Sequence, residues 1–128
     1  MVRYVLDSWA WIEHLRGSNA GAKVREAIHD ERNVIVTSAV TVAEVVSKFS
    51  REGLGTEQVY SAIANSSRLV SLAPDDAKEA GVVHASTKKR RYNFSLGDAV
   101  VLHLARKEKA RVLTGDPDFR GLDEAVML

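Results

Sequence analysis

The chain has 128 residues, with 18 Lys+Arg against 17 Asp+Glu for a formal net charge of +1, 45% apolar residues and no cysteine. That length predicts one domain with a sizeable core, and the apolar fraction excludes a disordered chain. The lack of cysteine excludes disulfides, thiolate zinc sites, iron–sulfur clusters and cysteine nucleophiles, and it gives no sign of an oxidising compartment.

In chain order, Met1 to Asp7 lacks a basic region followed by an apolar stretch, so no signal peptide is expected. No run approaches the ~18 apolar residues of a membrane span, and a cytoplasmic protein without a membrane partner is the expectation. Tyr4-Val5-Leu6 reads as a first strand. Trp9, Trp11, Ile12 and Leu15 open a helix and are expected to pack in the core or on a partner. Ala20, Val24, Ala27 and Ile28 share one face of a second helix. Val34-Ile35-Val36 reads as a strand, followed by the helical stretch Ala39 to Val46. Gly53-Leu54-Gly55 marks a turn, and a helix with Val59 and Ile63 four apart follows a Thr56 cap.

Arg68-Leu69-Val70 is a third strand, and Pro74-Asp75-Asp76 is a first helical turn that suits the helix dipole. Asn93 to Gly97 leads into the helix that carries Asp98-Ala99-Val100-Val101-Leu102. Arg111-Val112-Leu113 is the fourth strand. Short, almost unbroken apolar strands that alternate with helices predict parallel pairing. The expected fold is a three-layer α/β/α sandwich with a central parallel sheet, one domain over residues 1–128 without linker or repeat.

Four acids stand in unusual places. Asp7 ends the first strand, Asp116 follows the last, Asp98 opens an apolar helix, and Glu44 sits inside the Ala39 to Val46 helix. Each has a structural reading: Asp7 and Asp98 as helix caps, Asp116 before Pro117 as a turn residue, Glu44 on a solvent stripe. As a set they point to the carboxyl rim of a parallel sheet, where ligands bind. Carboxylates gathered there repel one another unless protons, bases or metal neutralise them. Hard divalent cations take such oxygen ligands, and a carboxylate-bound metal pair suits phosphodiester hydrolysis.

The segments Tyr4-Val5-Leu6-Asp7-Ser8, Thr37-Ser38-Ala39-Val40-Thr41-Val42-Ala43-Glu44-Val45, Ser95-Leu96-Gly97-Asp98-Ala99 and Leu113-Thr114-Gly115-Asp116-Pro117-Asp118-Phe119 resemble the motifs of PIN domains. They are most similar to the VapC-type toxins of type II toxin–antitoxin pairs, and the resemblance spans nearly the whole chain. It implies an endoribonuclease dependent on Mg²⁺ or Mn²⁺. By motif, Asp7 and Asp98 correspond to direct metal ligands, Asp116 to a ligand or water-mediated partner, and Glu44 to an acid that completes the charge. Asp118 reads equally as a marginal contributor or a surface carboxylate. Thr114 and Ser8 read as hydrogen-bond donors to a metal-bound water or as caps. The implied partners are an RNA substrate, a small antitoxin protein and a second copy of the chain in a homodimer.

Other chemistries find less support. His14, His29, His84 and His103 show no His-x-x-x-His spacing, and there is no Gly-x-Gly-x-x-Gly, Walker-type loop or serine-hydrolase elbow. Lys88-Lys89-Arg90-Arg91 is the only block of four like charges. It reads as a solvated helix end or, beside the acids, as a contact to RNA phosphates, with Tyr92 a candidate to stack on bases and Phe94 read first as core and only second as a stacking residue. Two rivals remain. One is a non-catalytic PIN-like module that binds RNA or protein. The other is a haloacid-dehalogenase-type phosphatase, which expects an Asp where Trp9 stands.

Overall fold

A computed structural model describes residues 2–128. Its sheet comprises β1 (Arg3–Leu6), β2 (Val34–Ser38), β3 (Arg68–Val70), β4 (Arg111–Thr114) and β5 (Ala125–Met127) in the order β3-β2-β1-β4-β5. All pairings are parallel, with Tyr4 opposite Ile35 and Leu6 opposite Leu113. The helices are α1 (Ser8–Arg16), α2 (Ala22–His29), α3 (Ala39–Arg51), α4 (Thr56–Ser66), α5 (Pro74–Lys88) and α6 (Leu96–Glu108).

Alternation along the strands builds the three expected layers. Val5, Val36 and Val112 face one way, into a core with Phe94, Phe119 and the α6 residues Ala99, Val101, Leu102 and Ala105. Leu6, Ile35 and Leu113 face the other way and pack on Ala10 and Trp11 of α1, Val24 of α2, Val45 and Phe49 of α3, and Val59 and Ile63 of α4. Both sides of the sheet are therefore covered, and each buried Val, Leu or Phe contributes about 1.5–3 kcal/mol. Trp11 is fully buried and its indole Nε1 donates to Thr37 Oγ1 at 3.0 Å, which satisfies its one polar atom.

Three sequence expectations need correction. A fifth strand, β5, exists at the edge of the sheet. It is three residues long, and residues 115–124 before it contain only a 3-10 turn at Pro117–Phe119 in place of a helix. Gly55, not Thr56, is the N-cap of α4, and Thr56 is its first residue. Ala20 lies in the turn before α2 and is exposed. Pro74 does open α5, with Asp75 and Asp76 in its first turn.

The strand order positions the site. From β1 the chain moves outward to β2 and β3, while β4 and β5 lie on the other side of β1. The carboxyl ends of β1 and β4 thus border a topological switch point, the crevice where open α/β sheets bind ligands.

Candidate metal centre

Asp7 follows β1 directly and is 3% exposed. It is the N-cap of α1, its Oδ1 accepting from the Ala10 backbone N–H at 2.9 Å. Its Oδ2 accepts from Thr114 Oγ1 at 2.6 Å. The same Thr114 oxygen accepts from the Asp116 N–H at 2.9 Å, so one hydroxyl links the acid after β1 to the acid after β4. Thr114 is fully buried and ends β4, which keeps this link out of water.

Asp116 caps the 3-10 turn, its Oδ1 accepting from the Asp118 N–H at 2.9 Å. Asp98 stands at the third position of α6 and forms a capping box with Ser95. Its Oδ2 accepts from the Ser95 N–H at 2.9 Å, and its own N–H donates to Ser95 Oγ at 3.0 Å. Asp98 therefore braces the start of its helix without being the N-cap, which is Ser95.

These elements bring carboxylate oxygens of Asp98, Asp116 and Asp118 within 4.8 Å of one another. Asp7 lies outside that tight group, each of its oxygens already engaged in one hydrogen bond. Glu44 is exposed on α3, yet its carboxylate turns in toward α6. Its Oε2 lies 2.5 Å from where a Cβ would stand on Gly97, the residue before Asp98. Ser8 is half-buried as the first residue of α1.

The acidities rise with burial first and with mutual repulsion second. Burial, with added repulsion from Asp116 and Asp98, pushes the Asp7 carboxyl up to about 7 despite the hydrogen bonds from Thr114 and Ala10. Desolvation, then repulsion from Asp98, raises Glu44. Asp98 is raised by desolvation and by Asp116 and Asp118, against the opposing bonds from Ser95. Asp118 is raised by desolvation and by Asp116, with Arg91 pulling the other way. Among the described residues no Lys or Arg side chain forms an ion pair with any of these five acids. An oxygen-only donor set without an ion-paired base fits a hard divalent cation.

A family model described as the PIN domain matches residues 4–125. The chain belongs to the PIN-domain family. Among solved structures, this PIN domain superposes on Mycobacterium tuberculosis VapC20, a sarcin–ricin loop cleaving toxin, with a TM-score of 0.81 at 16% identity, covering 98% of each chain. A toxin–antitoxin complex from Klebsiella pneumoniae gives 0.75 at 21% identity, covering 97% of this chain and 96% of that one. DNA-bound VapBC from Salmonella typhimurium gives 0.74 at 15% identity, covering 100% and 98%. At these identities the likeness is one of fold. No curated protein matches the sequence.

Within this PIN domain two glycines and a tryptophan shape the site in ways the sequence reading missed. A Cβ on Gly115 would overlap the Trp9 ring, so the indole lies against the backbone just before Asp116. Gly97 grants the Glu44 carboxylate the same close approach just before Asp98. A glycine immediately before each acid, in Gly97-Asp98 and Gly115-Asp116, was the available signal.

The basic run divides. Arg91 Nη1 donates to the backbone carbonyls of Asp118 and Arg120 at 3.0 and 2.6 Å, and Lys88 Nζ to that of Tyr92 at 2.9 Å. Lys89 and Arg90 are exposed. Phe94 is fully buried against Phe119, ring centroids 5.6 Å apart, and so is core and no stacking residue. The histidines stay apart from the acids: His84 Nε2 meets the Phe94 carbonyl and His103 Nε2 meets Asp76. Among the described residues no helix is long and apolar enough to cross a membrane.

Proposed function

We propose that this PIN domain is a divalent-metal-dependent endoribonuclease and the toxin of a toxin–antitoxin pair, acting in the cytoplasm. The observation that carries the reading is the convergence of Asp98, Asp116 and Asp118 within 4.8 Å, beside buried Asp7, at the switch point of the sheet. Asp7, Asp98 and Asp116 would hold Mg²⁺ or Mn²⁺, with Asp118 beside them and Glu44 completing the charge from α3. A bound ion of this kind acidifies water into a nucleophile and offsets charge on the leaving oxygen of a phosphodiester.

The chain's own residues supply placement. Ser95 fixes one oxygen of Asp98 through the capping box and leaves the other unengaged. The Asp118 N–H fixes one oxygen of Asp116 in the same way. Thr114 holds Asp7 and the Asp116 backbone in one arrangement. Asp98 and Asp116 therefore need not reorganise to receive a cation, which lowers the barrier to reaction. Ser8 lies next to Asp7 and is proposed to hydrogen-bond a water of the site.

The toxin part of the reading is supported by the solved structures of like fold, which include a VapC toxin and VapBC complexes. An antitoxin segment presenting Arg or Lys would satisfy the unpaired acids by charge-assisted hydrogen bonds. A homodimer is proposed on the same family grounds. The test is cleavage of RNA with Mg²⁺, with Mn²⁺ and with chelator, run beside Asp98→Asn. Cleavage that stops in chelator and in the variant is expected. Cleavage that persists in excess chelator defeats the metal reading, and no cleavage under any condition leaves a non-catalytic binding module. Co-expression with an adjacent small reading frame is expected to yield a complex with suppressed activity.

A further inference from the structure

The α5–α6 connection is an ordered loop tied down at both ends beside Asp118. At its start Arg91 clamps the Asp118 and Arg120 carbonyls. At its end Phe94 packs edge-on against Phe119, and His84 Nε2 lies 3.1 Å from the Phe94 carbonyl. Between these anchors stands Tyr92, 85% exposed. Lys88 holds the Tyr92 carbonyl, and its ammonium lies 5.7 Å from the centroid of the Tyr92 ring. Two of the four basic residues in the run are thus committed to the scaffold. Lys89, Arg90 and Arg120 are exposed and make no side-chain hydrogen bond among the described residues. Lys88 is the cation over the Tyr92 ring, which still stays 85% exposed; Lys89 and Arg90 precede it in sequence, Arg120 is tied to the same loop through Arg91, and Asp98 follows six residues on, at most about 22 Å away along the chain.

We propose that this loop is a binding platform for an unpaired stretch of RNA: Tyr92 stacks on an exposed base while Lys89, Arg90 and Arg120 contact the flanking phosphates. The proposal rests on the nuclease reading above and narrows it, because a base paired within a duplex cannot offer its face to Tyr92. Aromatic platforms in positively charged surroundings hold single strands without reading their sequence. Cations at the border also offset the repulsion between the acidic centre and the RNA backbone.

The experiment measures binding, not cleavage. A short fluorescein-labelled oligoribonucleotide, single-stranded or annealed to its complement, is titrated with full-length protein in chelator and followed by anisotropy. Tyr92→Ala is expected to weaken single-strand binding by about five- to a hundred-fold. Tyr92→Phe keeps the affinity, duplex binding is indifferent to both, and melting temperatures are unchanged. Replacing Lys89 and Arg90 by Ala lowers the salt dependence of single-strand binding by about 0.7 in log–log slope per lost contact. Wild-type affinity in Tyr92→Ala, or an equal loss on single strand and duplex, overturns the proposal. A protein that binds single strands through Tyr92 but never cuts RNA with metal upholds the platform and overturns the nuclease. Metal-dependent cutting with single-strand affinity untouched by Tyr92→Ala does the reverse.

Discussion

In chelator, Asp7→Asn is expected to make the protein more stable at neutral and higher pH, and to do so by removing a pH dependence. The Asp7 carboxyl sits at about 7 in the fold against an ordinary 3.8, chiefly because burial disfavours its charge. The folded state therefore binds a proton that the unfolded chain releases. Below the ordinary value both states are protonated and Asp7 contributes no penalty. Wild-type stability then falls as pH climbs through the window from 3.8 to about 7 and stays low above it. At 1.36 kcal/mol per pH unit, the move from 3.8 to about 7 amounts to about 4 kcal/mol, an upper bound because local opening that wets the carboxylate limits the penalty. Asn does not titrate. Its Oδ1 still accepts from the Ala10 N–H, but its amide N–H₂ meets Thr114 Oγ1, which already accepts from the Asp116 N–H and whose own proton loses its acceptor. That rearrangement costs about 1 kcal/mol and is independent of pH. Urea unfolding of both proteins at closely spaced pH values across the window gives the difference curve. Subtraction also cancels His14, whose pKa is lowered by burial and by Arg25 and which works in the opposite direction. A difference that rises with pH to a plateau of a few kcal/mol is expected. A flat or falling difference refutes the argument that Asp7 is a desolvated charge.

Four further outcomes follow from the same geometry. Mg²⁺ affinity, read from the magnesium-induced rise in melting temperature, is expected to weaken as pH falls below about 7, because protons compete for Asp7. Asp98→Asn, which can still accept from the Ser95 N–H, is expected to abolish cleavage, gain stability in chelator, and lose most of the magnesium-induced shift. Asp98→Ala also removes the acceptor of the Ser95 N–H and costs about 1 kcal/mol relative to Asn, measured by thermal melts. Gly97→Ala drives a methyl into the Glu44 carboxylate, which must swing away; activity is expected to drop while the helix is stabilised or unchanged within about 1 kcal/mol.

Much of this architecture was legible because its signals are local. Val5, Val36 and Val112 are β-branched residues in short apolar runs, and the strands follow from them. β5 carried no such signal: Ala-Val-Met is only half-buried at an edge, and the usual crossover helix before it is absent. Asp7, Asp98 and Asp116 announced themselves by position, yet what each carboxylate touches depends on tertiary contacts. Asp118 looked as much like a surface acid as a site residue; the 3-10 turn folds it back onto Asp98 and Asp116. Glu44 looked like an acid on an apolar helix, and its placement came from the missing side chain of Gly97 on another element. The basic run could not be divided from sequence, since the carbonyls that claim Arg91 lie 27 and 29 residues away.

Asp7 caps α1, Asp98 braces the start of α6 and Asp116 caps the 3-10 turn, so three of the five acids also support the start of a piece of secondary structure. This overlap bears on how such a protein can decay over evolutionary time. A lineage relieved of its chemical task is free to discard the carboxylate charge but not the hydrogen-bond acceptor, because the amide groups at each helix start must still be met. Its silent descendants are expected to carry Asn or Ser at positions 7, 98 and 116, and Ala or Val rarely. Random substitutions at these three positions, scored by melting temperature in chelator, are expected to sort in the same way, with Asn and Ser more stable than Ala or Val.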